Sequence, residues 1–293
     1  MWRDESLESA RGLAFRRAGS GPAVVLVHGI PGAGAAWEGV VRELPASLDV
    51  VVVDLLGFGA SRRPHGLAHL HAQAQAEALA ALLDELELRR VTIVGHDFGG
   101  PVAILTAGRS DSRVAGLGLL SANAFADTPI PFPLSLVTMP LVGGLAGRML
   151  FSVPSQRLML RQGVGPGASA PPAELYLGDG EQRQAIATIF EGSLTGLREL
   201  YAPIEHTLRG LRLPGMVAWG DRDPFFGLDQ GRRTAEALGA DLRVYAAAGH
   251  FLPHERPSEV AADICALVEV VGTARLIHSA SRSAGRVAAG SGS

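Results

Sequence analysis

The sequence predicts an α/β fold, a mostly parallel, doubly wound sheet interrupted once by a helical insertion. Three observations carry the prediction. Ala23-Val-Val-Leu-Val27 and the four valines inside Asp49-Val-Val-Val-Val-Asp-Leu55 are continuous apolar runs, as strands buried on both faces must be. Segments with apolar residues at helical spacing separate them. From about Ala126 to Leu208 no such run occurs, and the alternation then resumes.

Residues 11–18 alternate loosely and fit a first strand or hairpin, closed by Gly19-Ser-Gly-Pro22. The strand at Ala23–Val27 ends in His28-Gly-Ile-Pro-Gly32, and Trp37, Val40, Val41 and Leu44 follow at helical spacing up to Pro45. A second buried strand, 49–55, runs into Gly57-Phe-Gly-Ala-Ser61, and a long helix carries Leu79, Leu82, Leu83 and Leu86. A strand from Val91, a helix over 101–107 and a strand over 114–120 complete the first half. In the insertion, helical patches fall at 134–162, 172–176 and 181–208. Beyond it come a strand from Pro214, a helix over 230–238, a strand over 241–246 and a helix over 257–271. The expected organisation is a core at 1–125 and 209–274, a helical cap at 126–208, and a disordered tail at 275–293 rich in Ser, Ala, Gly and Arg.

With 293 residues, 47% of them hydrophobic, the chain can bury a large core. A net charge of -3 carries no footprint for nucleic acid or an anionic membrane surface, and all 26 basic residues are Arg. The charged start shows no secretory signal, and the apolar stretch 129–147 is broken by Pro and Gly, unlike a membrane span. The single cysteine, Cys265, excludes an internal disulfide and fits a buried helix face. A reducing, cytoplasmic setting is expected, and a homodimer stays open. No P-loop, dinucleotide fingerprint or metal-ligand spacing is present, so neither metal nor cofactor is expected.

The chemistry centres on Gly95-His-Asp-Phe-Gly99. A β-branched run, a glycine-flanked turn and a helix make the context of a nucleophile elbow, which lifts its central side chain above the sheet edge. That residue is Asp97, where a Ser or Cys is usual. With an ordinary pKa of about 3.9 it is ionised at neutral pH and needs no base to attack. Asp223 and His250 each follow a later strand, in the order nucleophile, acid, histidine.

Together, His28-Gly-Ile-Pro31, Asp54-Leu-Leu-Gly-Phe-Gly-Ala-Ser61, Gly95-His-Asp-Phe-Gly99, Gly220-Asp-Arg-Asp223 and Gly249-His250-Phe resemble the α/β-hydrolase superfamily. Within it they look like the Asp-nucleophile branch of epoxide hydrolases and haloalkane dehalogenases. The resemblance covers about 1–125 and 209–272. It implies the α/β-hydrolase fold, with Asp97 attacking a saturated carbon to form an ester. His250 would activate the water that hydrolyses it, Asp223 would orient His250, and the Ile30 and Phe98 N–H groups would form the oxyanion hole. The Gly-x-x-Asp pattern selects Asp223 over Asp221, and after the preceding strand the only candidate acid position holds Asn123. His96 reads as structural, and His28 and Trp37 are expected at the pocket, Trp37 beneath it.

Haloalkane dehalogenases place a halide-binding Trp directly after the nucleophile, where this chain has Phe98. Epoxide hydrolases carry His-Gly-x-Pro, as here, and protonate the departing oxygen with cap tyrosines; the insertion offers Tyr176 and Tyr201. The expectation is a cofactor-free epoxide hydrolase for a small hydrophobic molecule. Halide displacement, ester or lactone hydrolysis by the same triad, and a non-hydrolytic ligand-binding role are the alternatives.

Overall fold

The computed structural model describes residues 7–8, 12–109, 113–130 and 132–290; Trp2 and the last three residues of the tail lie outside them. In chain order the elements are β1 (Leu7–Glu8), β2 (Ala14–Ala18), β3 (Ala23–Val27), α1 (Glu38–Glu43), β4 (Asp49–Val53), α2 (Leu67–Leu70), α3 (Ala72–Glu85), β5 (Val91–His96), α4 (Gly99–Ala107) and β6 (Val114–Leu120). The insertion contributes α5 (Gly143–Leu150), α6 (Val153–Gln162), α7 (Ala173–Leu177), α8 (Gly180–Thr195) and α9 (Leu197–Gly210). The chain closes with β7 (Gly215–Gly220), α10 (Leu228–Leu238), β8 (Leu242–Tyr245), α11 (Leu252–Glu255) and α12 (Pro257–Gly290).

The eight strands form one sheet in the order β1-β2-β4-β3-β5-β6-β7-β8, parallel from β4 to β8, with β1 and β2 antiparallel at one edge. Successive side chains of a strand point to opposite faces, and the two cores divide accordingly. Val25, Val27, Val51, Val53 and Ile93 join one core with residues of α3 and α4. Val24, Leu26, Val50, Val52 and Val94 join the other with Val40 of α1 and Val260, Ile264 and Val268 of α12. Helices cover both faces, which explains why these strands are continuously apolar.

After β3 the chain moves outward to β4 and then crosses back over β3 to place β5 on its other side. Such a reversal opens a crevice at the carboxyl ends of the two strands, where ligands of α/β sheets bind. Ile30 follows β3 there and Asp97 follows β5.

Two expectations are corrected. The continuous helical patch at 134–162 is in fact a 3-10 turn (Leu134–Thr138), α5 and α6, with Pro140 and Pro154 in or beside the breaks. The final helix does not end near Val271 but continues to Gly290, through most of the expected disordered tail. Beyond Pro257 this stretch has no proline and recurrent alanine, so nothing stops the helix. Among the described residues no helix is long and apolar enough to cross a membrane.

Candidate active site

Asp97 occupies the turn between β5 and α4 with φ of 51°, a left-handed conformation that is uncommon for a side chain of any size. Its neighbours show why the turn is glycine-flanked. A Cβ on Gly95 would lie 2.3 Å from the Gly99 carbonyl oxygen, and one on Gly99 would lie 2.3 Å from that of Val27. The strain is therefore carried by Asp97, while the glycines allow the helix to press against the strands.

One carboxylate oxygen of Asp97, Oδ2, accepts a hydrogen bond of 2.7 Å from the Ile30 N–H. The other, Oδ1, lies 3.6 Å from His250 Nε2. His250 Nδ1 is 2.9 Å from Asp223 Oδ2, and Asp223 Oδ1 accepts the N–H groups of Phe225 and Phe226 at 2.9 and 3.0 Å. Asp223 is thus fixed by backbone amides and aims its free oxygen at the imidazole. Asp221 instead pairs loosely with Arg222. The structure brings Asp97, His250, Asp223 and Ile30 together as the sequence predicted. Phe98 lines the same site, but among the described residues its N–H makes no hydrogen bond to the carboxylate.

The electrostatics couple the pair. Burial opposes a charge on His250, but Asp223 and Asp97 together outweigh it and raise its pKa to about 10. Burial likewise pushes Asp97 up, but the hydrogen bond and charge of His250, helped by His96 and the Ile30 N–H, hold it below its ordinary value. His250 is thus held towards its protonated form between Asp97 and Asp223.

Three further residues shape the His250 loop. His96 donates its Nε2–H to the His250 carbonyl at 2.8 Å. Burial, followed by the His250 charge, lowers its pKa to about 4, so it stays neutral. The Gly163 carbonyl, at the end of α6, accepts the His250 N–H at 2.7 Å. Glu255 accepts three amides: Gly165 and Gly249 at Oε2 (2.7 and 2.9 Å) and Phe251 at Oε1 (3.1 Å). The spacing of His250 and Glu255 gave no signal of this tie, because its partners are backbone groups from distant segments.

Above Asp97 opens a cavity of about 870 Å³ including its mouth, walled by Phe98, Leu134, Met159, Phe190, Phe225 and other apolar side chains. Asp97, His250, Asn123, Thr128, Ser193 and Tyr201 are its polar side chains, a composition suited to a small organic molecule. Of the two tyrosines in the insertion, Tyr201 lines the cavity beside Ser193, and its phenol is pushed up by burial and by Asp97. Tyr176 does not line it. It is buried edge-on against Phe251 with ring centroids 5.6 Å apart, as core packing.

His28 and Trp37 are also corrected: neither lines the cavity. His28 Nε2 accepts the Leu55 N–H at 3.0 Å and Nδ1 is 2.7 Å from the Gly29 carbonyl, so the ring is a neutral brace under the Ile30 loop. Trp37 is fully buried in the core on the α1–α12 face. Among the described residues no cluster of His, Cys, Asp and Glu could hold a metal ion.

With this geometry in hand, comparison with known proteins gives the class. The family model for the alpha/beta hydrolase fold matches residues 22–257, and the chain belongs to that family. It is 30% identical over 250 residues to 2-hydroxy-6-oxo-2,4-heptadienoate hydrolase of Pseudomonas putida, covering 81% of this chain and 86% of that one. It is 26% identical over 313 residues to Epoxide hydrolase A of Mycobacterium tuberculosis, covering 88% and 95%. The structure of haloalkane dehalogenase DbeA from Bradyrhizobium elkani superposes with a TM-score of 0.74 at 18% identity, over 89% of this chain and 95% of that one. The protein is an α/β-fold hydrolase.

Proposed function

We propose that the protein hydrolyses an epoxide of a small hydrophobic molecule through a covalent ester on Asp97, with the inserted helices acting as a cap over the site. The observation that carries this reading is the asymmetry of the Asp97 carboxylate. Oδ2 is held by the Ile30 N–H, whereas Oδ1 has no such donor among the described residues and lies 3.6 Å from His250 Nε2, on a residue that lines the cavity.

Oδ1 attacks one ring carbon, the C–O bond breaks, and the Tyr201 phenol gives its proton to the departing alkoxide. Burial keeps that phenol protonated at neutral pH, and an alkoxide is the stronger base. Ester formation removes the Asp97 charge, one of the two that hold the proton on His250, so that proton passes through solvent to the Tyr201 phenolate and leaves a neutral imidazole able to act as a base. It takes a proton from water, whose oxygen attacks the Asp97 carboxyl carbon. The negative charge develops on Oδ2, where the Ile30 N–H already points. The Cγ–Oδ1 bond then breaks, the diol leaves with Oδ1 and takes the His250 proton, and the new carboxyl gives its proton to His250, which restores the starting charges. The sum is epoxide plus water to diol.

The test is to incubate His250→Gln with a panel of aryl and alkyl epoxides and a parallel panel of haloalkanes, and to weigh the intact protein. The epoxide reading expects a stable adduct on Asp97 whose mass equals the whole epoxide. A haloalkane adduct lacking the halogen, with none from epoxides, would move the assignment to halide displacement. No adduct from either panel, with Asp97→Ala still active, would sink the nucleophile role.

A further inference from the structure

Asn123 follows β6, on the strand next to Asp97, and its side chain is built into the loop in an unusual way. The Phe125 N–H donates to Oδ1 at 3.1 Å, and the Thr128 hydroxyl lies 2.6 Å from the same atom. A backbone N–H can only donate, so the atom facing it must be the amide oxygen. The orientation of the side-chain amide is therefore set by chemistry. Its NH2 group must point the other way.

That group has no hydrogen-bond partner among the described residues, although Asn123 is only 5% exposed. The sealed, unpartnered side-chain atoms are Trp37 Nε1, Ser121 Oγ and Gln156 Oε1, and the Asn123 nitrogen is not among them. It opens on the cavity that Asn123 lines. A locked donor pair in an otherwise apolar wall discriminates among ligands, because a ligand without an acceptor leaves it unpaired.

We propose that Asn123 is a specificity-determining residue whose side-chain N–H groups hold an acceptor oxygen of the substrate outside the epoxide ring, in a carbonyl, hydroxyl or ether. The place in the fold decides against the ring oxygen. Tyr201 and Ser193 line the cavity from the inserted helices α9 and α8, whereas Asn123 follows β6, the strand beside the β5 that carries Asp97. The donor pair thus fixes a side group of the substrate while Oδ1 meets the ring. The substrate class becomes an epoxide carrying a second oxygen. For turnover this rests on the epoxide reading, but for binding it does not.

Two variants test it. Asn123→Asp keeps an oxygen for Phe125 and Thr128 and replaces only the donor face; Asn123→Ala removes both. Binding is titrated at pH 8 with acetophenone and its isostere α-methylstyrene, which differ in C=O against C=CH2. The preference for the ketone, as the ratio of the two Kd values, falls about tenfold in both variants. Turnover is compared with benzyl glycidyl ether and 1,2-epoxy-5-phenylpentane, in which a methylene replaces the ether oxygen, and the ratio of kcat/KM values falls by a similar factor. A binding ratio within twofold of wild type in either folded variant overturns the proposal. Absence of turnover of both epoxides by wild type overturns the reaction instead, and the binding ratio still decides the role of Asn123.

Discussion

Replacing Glu255 by alanine removes three hydrogen bonds at once, two from amides on either side of His250 and one from the Gly165 amide in the inserted segment. A hydrogen bond to a charged group contributes about 1.5–3 kcal/mol when fully enclosed. Glu255 is half-buried, so water replaces part of each, and about 1 kcal/mol apiece gives about 3 kcal/mol for Glu255→Ala. Glutamine separates the contributions. Its single carbonyl oxygen can keep the Gly165 and Gly249 amides, while its NH2 group is turned against the Phe251 N–H. Glu255→Gln should therefore lose about 1–2 kcal/mol. Urea unfolding of the three proteins at pH 7 measures the series. Because the same amides hold the base, displacing it by about 1 Å lowers kcat about 100-fold in the alanine variant. The reasoning is refuted if alanine and glutamine cost the same, or if alanine costs less than 0.5 kcal/mol.

Three other outcomes are expected. Gly99→Ala drives a Cβ against backbone carbonyls of Val27 and His28 beside the Ile30 loop, so it costs at least 2 kcal/mol in thermal unfolding and depresses activity; a melting temperature equal to wild type contradicts the packing account. Tyr201→Phe lowers kcat for epoxide at least 100-fold with little change in KM, whereas Tyr176→Phe leaves kcat within a few-fold, and equal losses in steady-state kinetics would remove Tyr201 as the acid. His96 has a folded pKa of about 4 against an ordinary 6.5, so its contribution is present above pH 6.5 and lost as pH falls towards 4, about 3 kcal/mol in all. His28 is lowered in the same sense, while the contribution of His250, raised to about 10, is full below pH 6.5 and is lost as pH rises from there to about 10. Chemical unfolding at pH 7 and 4.5 should show the acid loss, and His96→Asn should shrink it.

The parallel strands were legible because burial on both faces leaves no room for polar residues, as the valines of 50–53 show. The elbow and the order of Asp97, Asp223 and His250 were legible because chemistry restricts residue type at each turn. The extent of the final helix was not: Ala, Ser and Arg beyond residue 275 suit a helix and a tail alike, and no proline or cap marks an end. The tyrosines could not be told apart, since an insertion outside the regular alternation offers no register to say which helix face meets the cavity. Asn123 was read only as a weak stand-in for an acid. Its role emerges from a backbone amide two residues away, a relation that spacing does not encode. His28 and Trp37 stand in the right loops, but one braces the backbone from below and the other fills the core on the far face.

The hydrogen bond from His250 to the Gly163 carbonyl has a consequence for how this sequence can drift. A side chain at 163 would strike the Phe251 ring at 2.4 Å, one at 165 the Ala247 carbonyl at 2.1 Å, and one at 249 the Gly163 carbonyl at 2.3 Å. Two of these positions lie in the insertion and the third precedes His250, and together they form one seam between the insertion and the His250 loop. They must change together or stay glycine. In the segment 132–150 of the same insertion, Phe132, Leu141, Leu145 and Met149 stand in solvent. Related sequences are therefore expected to vary more at the exposed side chains of 132–150 than at 163, 165 and 249 beside His250.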